Sequence, residues 1–529
     1  MQNLITPTDF QSLSEIGENW RSQLFWPARF ADSIGPLKDI RRRYLATVMA
    51  TEDRDAQMVM LMGHYSTSTI LAASQYALWI DVAEKQGIRL AGYKILDYLS
   101  GLIEEDQCPP TTFPLPSQSV KFGMFWWLRR IVRTASWTPV TRLPKAIMQP
   151  DGIALNHNSL LRAYLSQSKY AARTAYPFDF DLSQQPLDTA FVKKIDYVSL
   201  ATKMAAEVTD HLALSPFRAA RLKIIARQVL LVSYEEATEM LARVRSIEKL
   251  PRIVFSGTGG KLMSRALGLE VMRRGGEAIR CDHGGSAVLL DLPSSRGLAE
   301  FSVSTKFITA TPAASKAVGL VGAQQMVRPM INCALEGHTG DPGFDVGPHG
   351  LARSQNSSGR RRAMYVSTVF YGFQQGLPPA MPATLYLDWQ IRLAEMLQRF
   401  PIELICKPHP GAFKPPAQFD LSRVAPVTLK MFEEAVADAD VLIYDYPATT
   451  TLAVGLCTDR PIVLIDHGTM HFSADIEAAM RLRCKRVVAD YDPRGRPVIN
   501  EEELQDAVCG GPDHADPTTF RALFLGEPE

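Results

Sequence analysis

Several features that would place a protein quickly are scarce in this chain. No run of about 18 uninterrupted apolar residues occurs in its 529 residues, so nothing in it is expected to span a bilayer. The opening MQNLITPTDF has no basic run ahead of an apolar core, so no signal peptide is read and the chemistry is expected in the cytoplasm. Charge of one sign is not in excess. The 57 Lys and Arg nearly balance 56 Asp and Glu, leaving a net charge of +1. That excludes a whole-surface field that would recruit nucleic acid or anionic lipid, and no nucleic-acid partner is expected. Cysteine is sparse. The seven (Cys108, Cys281, Cys333, Cys406, Cys457, Cys484 and Cys509) are scattered and never form a CxxC pair. Several sit in apolar segments such as IELICKPHP, which reads as reduced, packed thiols and excludes a disulfide framework or zinc site.

What is present is ample core material: 46% of residues are apolar and 21% charged, a globular balance. The length predicts two or three domains. Residues 1–110 mix polar and amphipathic segments. MVMLMGHYSTSTILAASQYALWIDVAEKQG reads as a strand, a turn and a long helix. QCPPTTFPLPSQS (107–119) is a loop, and about 120–250 is largely helical, with Ser233 and Glu236 reading as a capping-box start. From 251 strands and helices alternate: RIVFSG, EAIRCD, the strand-like AEFSVST and KFITAT, then AMYVSTVF, IELICK, DVLIYD and RPIVLID. That alternation predicts an α/β chain with parallel, doubly wound sheets. The Gly- and Ser-rich stretch 334–362 reads as the hinge between halves. The division expected is 1–340, a hinge at 341–362, and 363–529.

Three motifs fall at predicted strand ends, where such sheets bind ligands. In Lys407-Pro408-His409-Pro410-Gly411 two prolines stiffen a loop that would hold a lysine and an imidazole toward a phosphate leaving group. The bland alternative is a Pro-rich turn with a solvated lysine. In Asp445-Tyr446-Pro447-Ala448-Thr449-Thr450-Thr451 three hydroxyls open a helix and suit phosphate oxygens, although one threonine would suffice as a cap. Asp282-His283-Gly284-Gly285 offers His283 as a general base near neutral pH, with glycines that let backbone approach a ligand. A turn with a structural histidine would look the same. Glu300 is a second candidate base, or the partner that orients His283. GTGGK (257–261) is no P-loop, because Phe255 and Leu262 stand where Gly and Ser or Thr are required. Gly259 and Gly260 remain candidates to meet substrate through their amides.

With KPHPG and DYPATTT in this order, the sequence resembles bacterial surface-polysaccharide transferases: capsule Kdo transferases, surface-carbohydrate transferases and, more distantly, teichoic-acid polyglycerolphosphate polymerases. Bacterial sialyltransferases also carry a His-Pro motif followed by a Ser/Thr motif. The resemblance covers about residues 250–490. It implies a GT-B glycosyltransferase of two Rossmann-like domains with a helical N-terminal elaboration, and a donor bearing CMP or CDP held by the C-terminal domain. It would put His409 on the nucleotide phosphate, with Lys407, Pro410, Asp445 and Thr449 to Thr451 completing the cradle. His283-Gly284 matches the polymerases' His-Gly pair, whose histidine is the proposed base, and His283, Gly284, Gly285 and Glu300 suit a fuller His-Gly-Gly loop followed by a glutamate. Pro447 and Ala448 stand where the polymerases have two serines, which counts against glycerol phosphate as the transferred group.

The reaction expected is inverting transfer of a Kdo-like or sialic-like ulosonic acid from a CMP donor to a surface-polysaccharide or glycolipid acceptor. No Asp-x-Asp pair stands where a metal-dependent transferase wants one. Asp179-Phe180-Asp181 reads as capping, so no metal or other cofactor is expected. The aromatic and basic stretch 121–137 (Phe122, Phe125, Trp126, Trp127, Arg129, Arg130, Arg133, Trp137) reads as peripheral membrane contact at the inner face of the cytoplasmic membrane, or as a core helix end with extended arginines. The alternatives carried are a CDP-polyol phosphotransferase, a nucleotide-sugar epimerase, and an inactive scaffold of a polysaccharide export complex.

Overall fold

The computed structural model describes the chain except residues 1–3, 18–19, 110–125, 177–179, 181, 348–358, 375–380, 412–413, 470, 512–513 and 528–529. It holds two main sheets, both wholly parallel. A small outlying pair, β1 (Leu4–Pro7) with β2 (Ile88–Ala91), is also parallel. The first sheet contains β3 (Gly152–Leu155), β4 (Ala172–Thr174), β5 (Ile253–Ser256), β6 (Glu277–Cys281), β7 (Lys306–Thr309) and β8 (Ala334–Gly337), in the order β4-β3-β5-β6-β7-β8. The second contains β9 (Arg361–Val366), β10 (Ile402–Lys407), β11 (Val441–Tyr444), β12 (Ile462–Asp466) and β13 (Cys484–Val488), in the order β10-β9-β11-β12-β13.

Each sheet starts inside, runs to one edge and returns past its first strand. The order therefore reverses between β3 and β5 in one domain and between β9 and β11 in the other. Ligands of doubly wound sheets sit at such reversals, beyond the strands' carboxyl ends. The central strands are short and apolar because helices cover both their faces: Val441–Tyr444 and Ile462–Asp466 are buried throughout. The helices Leu262–Arg273, Ala383–Leu397 and Thr450–Leu456 are among those that make the connections. The expected α/β architecture of two doubly wound domains is what the chain forms.

Around these domains lies a helical elaboration. Its longest member, Pro216–Arg245, starts with Pro at its first turn and with Ser215 accepting the N–H of Arg218. N-terminal segments also reach the second domain: Phe10 meets Phe370 edge-on at 5.3 Å, and Tyr76 stacks on Phe373 at 5.7 Å. The C-terminal helix Thr518–Leu525 returns to the first domain, where Thr311 donates to the Leu523 carbonyl at 2.7 Å and Phe344 packs on Phe524.

Four expectations are corrected. MVMLM is the body of the helix Arg54–Met62, whose start Asp53 caps through the amides of Asp55 and Ala56; a short apolar run has no period that separates strand from helix. Ser233 begins no helix. It lies inside Pro216–Arg245, where its hydroxyl donates to the Gly63 carbonyl at 3.2 Å. Glu300 stands on no strand, because Pro293 starts the helix Pro293–Ala299 and Glu300 is its C-cap. The glycine-rich stretch opens with a strand, β8, so only residues after 337 connect the sheets.

Candidate active site

β6 ends at Cys281, and Asp282 to Gly285 leave its carboxyl end. Gly284 and Gly285 have φ of +79° and +72°, which side-chain-bearing residues adopt only at a cost. A Cβ on Gly284 would overlap Thr450 Oγ1, and one on Gly285 would sit 3.0 Å from Ala453 Cβ. The two glycines thus let a loop of the first domain touch the helix Thr450–Leu456 of the second. Their role here is close approach between domains. His283 is exposed at the cleft so formed. Asp282, quoted in the same motif but given no role from sequence, lines the same cleft at 4% exposure. Its Oδ1 accepts the His283 N–H at 2.8 Å. Burial pushes its carboxyl up to about 6 against the opposing pull of the Arg296 guanidinium. A carboxyl with that pKa beside a cleft is a candidate proton acceptor in its own right. Its one sequence signal was an acid placed directly after an apolar strand.

Glu300 also borders the cleft, but its oxygens are in use. Oε1 accepts the Thr258 hydroxyl at 3.0 Å and Oε2 accepts the Gly259 N–H at 2.5 Å. The fields of buried Arg265 and Arg280 reach it as well. Glu300 therefore fixes the turn after β5, and His283 is not among its hydrogen-bond partners. The same bonds dispose of the proposed substrate amides: Gly259 gives its N–H to Glu300, and Gly260 gives its own to Thr258 Oγ1 at 3.1 Å. Gly259 is required because a Cβ there would lie 2.5 Å from the Ala299 carbonyl.

The second domain supplies the facing wall. His409 follows β10, is exposed and lines the cleft. Its Nδ1 accepts the Gly411 N–H at 2.9 Å, so in the neutral ring Nε2 carries the proton and is the atom left to donate. Partial burial and the neighbouring Lys407 charge hold this imidazole below its usual range. Lys407 itself is turned away from the cleft lining: it is buried at 7% exposure, and its Nζ donates to the Pro408 carbonyl at 3.4 Å. Pro410 is exposed and outside the lining.

Thr449, Thr450 and Thr451 line the cleft, with two hydroxyls already engaged. Thr449 Oγ1 accepts the Leu452 N–H at 3.2 Å as N-cap, and also receives the Thr451 hydroxyl at 3.1 Å. Asp445 is 2% exposed and turned inward. It accepts from the Tyr365 hydroxyl at 2.5 Å, the Tyr386 hydroxyl at 3.0 Å and the Trp389 indole N–H at 3.0 Å. Burial pushes it up to about 6. It anchors the base of the 446–449 loop and takes no place in the cleft.

One cleft of about 320 Å³ therefore gathers His283, Asp282, Glu300 and Arg296 from one domain and His409 and Thr449 to Thr451 from the other. Thr368, Tyr371 and Tyr446 complete the second wall. No group of three or more His, Cys, Asp or Glu suited to a metal occurs among the described residues.

Of the aromatic and basic stretch, Phe122 and Phe125 lie outside the described residues, as do the side chains of Trp126, Trp127, Arg129 and Arg130. Asp179 and Asp181 lie outside them too. Arg133 faces protein, bonding His157 Nδ1 at 2.6 Å and lying over the Tyr176 ring at 4.6 Å. No helix among the described residues is long and apolar enough to cross a membrane.

No protein-family model matches the chain, and no curated protein matches it in sequence. Among solved structures, a UDP-glucosyltransferase from Polygonum tinctorium capable of glucosylating indoxyl, in complex with 3,4-dichloroaniline, aligns with 73% of this chain and 89% of its own. The identity is 10% and the TM-score 0.30. A likeness that distant carries no inference about this chain's chemistry.

Proposed function

We propose that the chain is a GT-B-type glycosyltransferase that moves a sugar from a nucleotide-activated donor to an acceptor hydroxyl, and that the donor is a CMP-ulosonic acid of the Kdo or sialic kind. The observation that carries this reading is convergence: two motifs more than 100 residues apart in sequence, DHGG at 282–285 and KPHPG at 407–411, meet across one cleft between two doubly wound domains. An acid or base on one wall and a donor of hydrogen bonds to phosphate on the other are the two groups that displacement at an anomeric carbon requires.

In this reaction the acceptor oxygen forms a bond to the anomeric carbon, with inversion, while the bond from that carbon to the phosphate oxygen breaks. CMP leaves with the electron pair, and the acceptor's proton passes to His283 or Asp282. The Nε2–H of His409 supports the departing phosphate. Glu300 acts one step removed, keeping the 257–260 turn in place. The acceptor is a surface glycan or a lipid-linked precursor, and the resemblance to surface-polysaccharide transferases supports that assignment.

Thermal-shift binding of CMP, CDP, UDP, GDP and ADP to wild type and His409→Ala tests the reading. Ligand at about 100 times its dissociation constant adds roughly 2.7 kcal/mol. Cytidine nucleotides should stabilise wild type alone. Stabilisation by UDP or GDP instead would keep a transferase and remove the ulosonic acid, and binding of no nucleotide would remove both.

A further inference from the structure

The helices Ile34–Met49 and Pro293–Ala299 pack together, and the contact puts Arg41 behind Arg296, which lines the cleft. Arg296 donates through Nη2 to Ser286 Oγ at 2.7 Å. Arg41 reaches Ser295 Oγ through Nη1 at 3.5 Å. A guanidinium has five N–H donors, and each of these two has a single described hydrogen-bond partner, a serine hydroxyl. The Nε of both is buried without a partner. Among the described residues neither makes an ion pair with a carboxylate, although the field of Arg296 reaches Asp282.

Arg296 shares the cleft lining with the acids Asp282 and Glu300, whereas the charges that act on Arg41 include one of its own sign. Arg41 feels Arg296, and nearby His64 feels both Arg41 and Arg265. Burial and Arg296 together pull Arg41 down to about 10. Arg41 and Arg296 are half-buried, and a charge withdrawn from water is ordinarily paired or fully hydrogen-bonded. Fully buried Arg265 nearby shows the usual solution: it spends its donors on the carbonyls of Leu61, Gly259, Leu298 and Ala299. Arg41 and Arg296 have donors to spare, and Tyr446, which lines the cleft, acts on Arg41 through its field.

We propose that Arg41 and Arg296 form an oxyanion subsite on the first-domain side of the cleft, which takes a compact anionic group of the substrate, a carboxylate or a phosphate. Planar guanidinium forks match both groups. In naming the substrate as bearer of the anion, the proposal rests on the nucleotide-sugar reading. The subsite lies across the cleft from His409, so a donor with two anionic groups, a leaving phosphate and an acidic sugar, would be held at both ends.

The test is calorimetric titration of CMP-N-acetylneuraminate, CMP and UDP-glucose into the full chain and into Arg41→Gln and Arg296→Gln. If the sugar carboxylate is the anion, each variant weakens CMP-N-acetylneuraminate about ten- to a hundredfold and leaves CMP unchanged. If a nucleotide phosphate is the anion, CMP weakens with it. Unchanged affinity for every ligand that wild type binds overturns the proposal. Should wild type bind none of the three, the nucleotide-sugar reading fails, and inorganic pyrophosphate becomes the probe by thermal shift. Stabilisation of wild type that both variants lose then keeps the subsite, and no stabilisation overturns it. The unliganded variants serve as the folding control. Gln keeps a donor for the serine hydroxyl at each position, so their midpoints should stay close to wild type; a fall with unchanged affinity would mark a structural role and overturn the proposal.

Discussion

Asp445 offers the sharpest test of how the second domain supports its cleft wall. Its Oδ2 receives the Tyr365 hydroxyl and the Trp389 indole N–H, and its Oδ1 receives the Tyr386 hydroxyl. Tyr386 also accepts the Thr368 N–H at 2.8 Å. Asn at 445 can satisfy the same set. Its carbonyl oxygen takes the Oδ2 position, and its amide donates to the Tyr386 oxygen, whose own proton then turns elsewhere. Ala at 445 removes every acceptor and leaves two hydroxyls and an indole N–H buried together, at about 1–3 kcal/mol for each unsatisfied group.

The pH dependence follows from the raised carboxyl. Its folded-state pKa, about 6 against an ordinary 3.8, corresponds to roughly 3 kcal/mol against the ionised form. A group raised in the folded state contributes stability that is complete below the unfolded value and is lost as pH rises through the folded one. Wild type should therefore lose up to about 3 kcal/mol between pH 4 and pH 7.5 through Asp445, while Asp445→Asn escapes that loss. Urea unfolding of wild type, Asp445→Asn and Asp445→Ala at the two pH values measures it as a change in midpoint at constant slope. The expected pattern has Asn near wild type at pH 4 and above it at pH 7.5, with Ala well below Asn at both. A difference between Asn and wild type that does not vary with pH would refute the buried-carboxylate argument. Equal stability of Ala and Asn would refute the hydrogen-bond argument.

Three further outcomes are expected. Gly284→Ala should lower the thermal midpoint, since its φ of +79° costs an L-residue about 1–2 kcal/mol and its Cβ overlaps Thr450 Oγ1; adding Thr450→Ala should restore part of the loss, which a double-mutant cycle reads directly. In a transfer assay at saturating donor, His283→Ala or Asp282→Asn should lower the rate about 10²–10⁴-fold, the usual worth of general-base catalysis. Glu300→Gln, which keeps an acceptor for the Gly259 N–H, should lose less than about tenfold, and the reverse ranking would return Glu300 to the base's role. Thr449→Ala should cost about 1 kcal/mol through the lost cap, seen as a lower unfolding midpoint, while Thr450→Ser leaves stability within about 0.5 kcal/mol.

The alternation of strands and helices was legible from residue 251 onward because buried parallel strands announce themselves as short β-rich apolar runs between turn residues. Ile253–Ser256 and Ile462–Asp466 are such runs, and they fold as read. The same signal fails where period is absent. Met58 to Met62 are as apolar as any strand, yet Asp53 supplies a cap and the helices around them supply the burial. Which strand ends share a cleft was legible only in outline, as motifs at carboxyl ends. Direction was not legible at all. Lys407 and His409 are two residues apart on one loop, and one is buried while the other faces the cleft. Arg41 and Arg296 carried no motif, and only the packing of two helices remote in sequence puts them together.

The glycines make the same point about what a motif encodes. Gly259 and Gly284 both look like residues that let backbone approach a ligand, and the physical requirement is indeed close approach. Gly259 needs it to fit against the Ala299 carbonyl within its own domain, and Gly284 needs it to fit against Thr450 of the other domain. His283 reaches the cleft because Gly284 and Gly285 let its loop lie on the helix that starts at Thr450. The distance between the two walls of the cleft is thus set partly by two missing side chains. A substitution that adds a Cβ at Gly284 should act on both walls at once, raising KM for donor and acceptor together while leaving nucleotide selectivity unchanged. Parallel saturation curves for Gly284→Ala and wild type check this, and a rise confined to one substrate would show that the two walls are positioned independently.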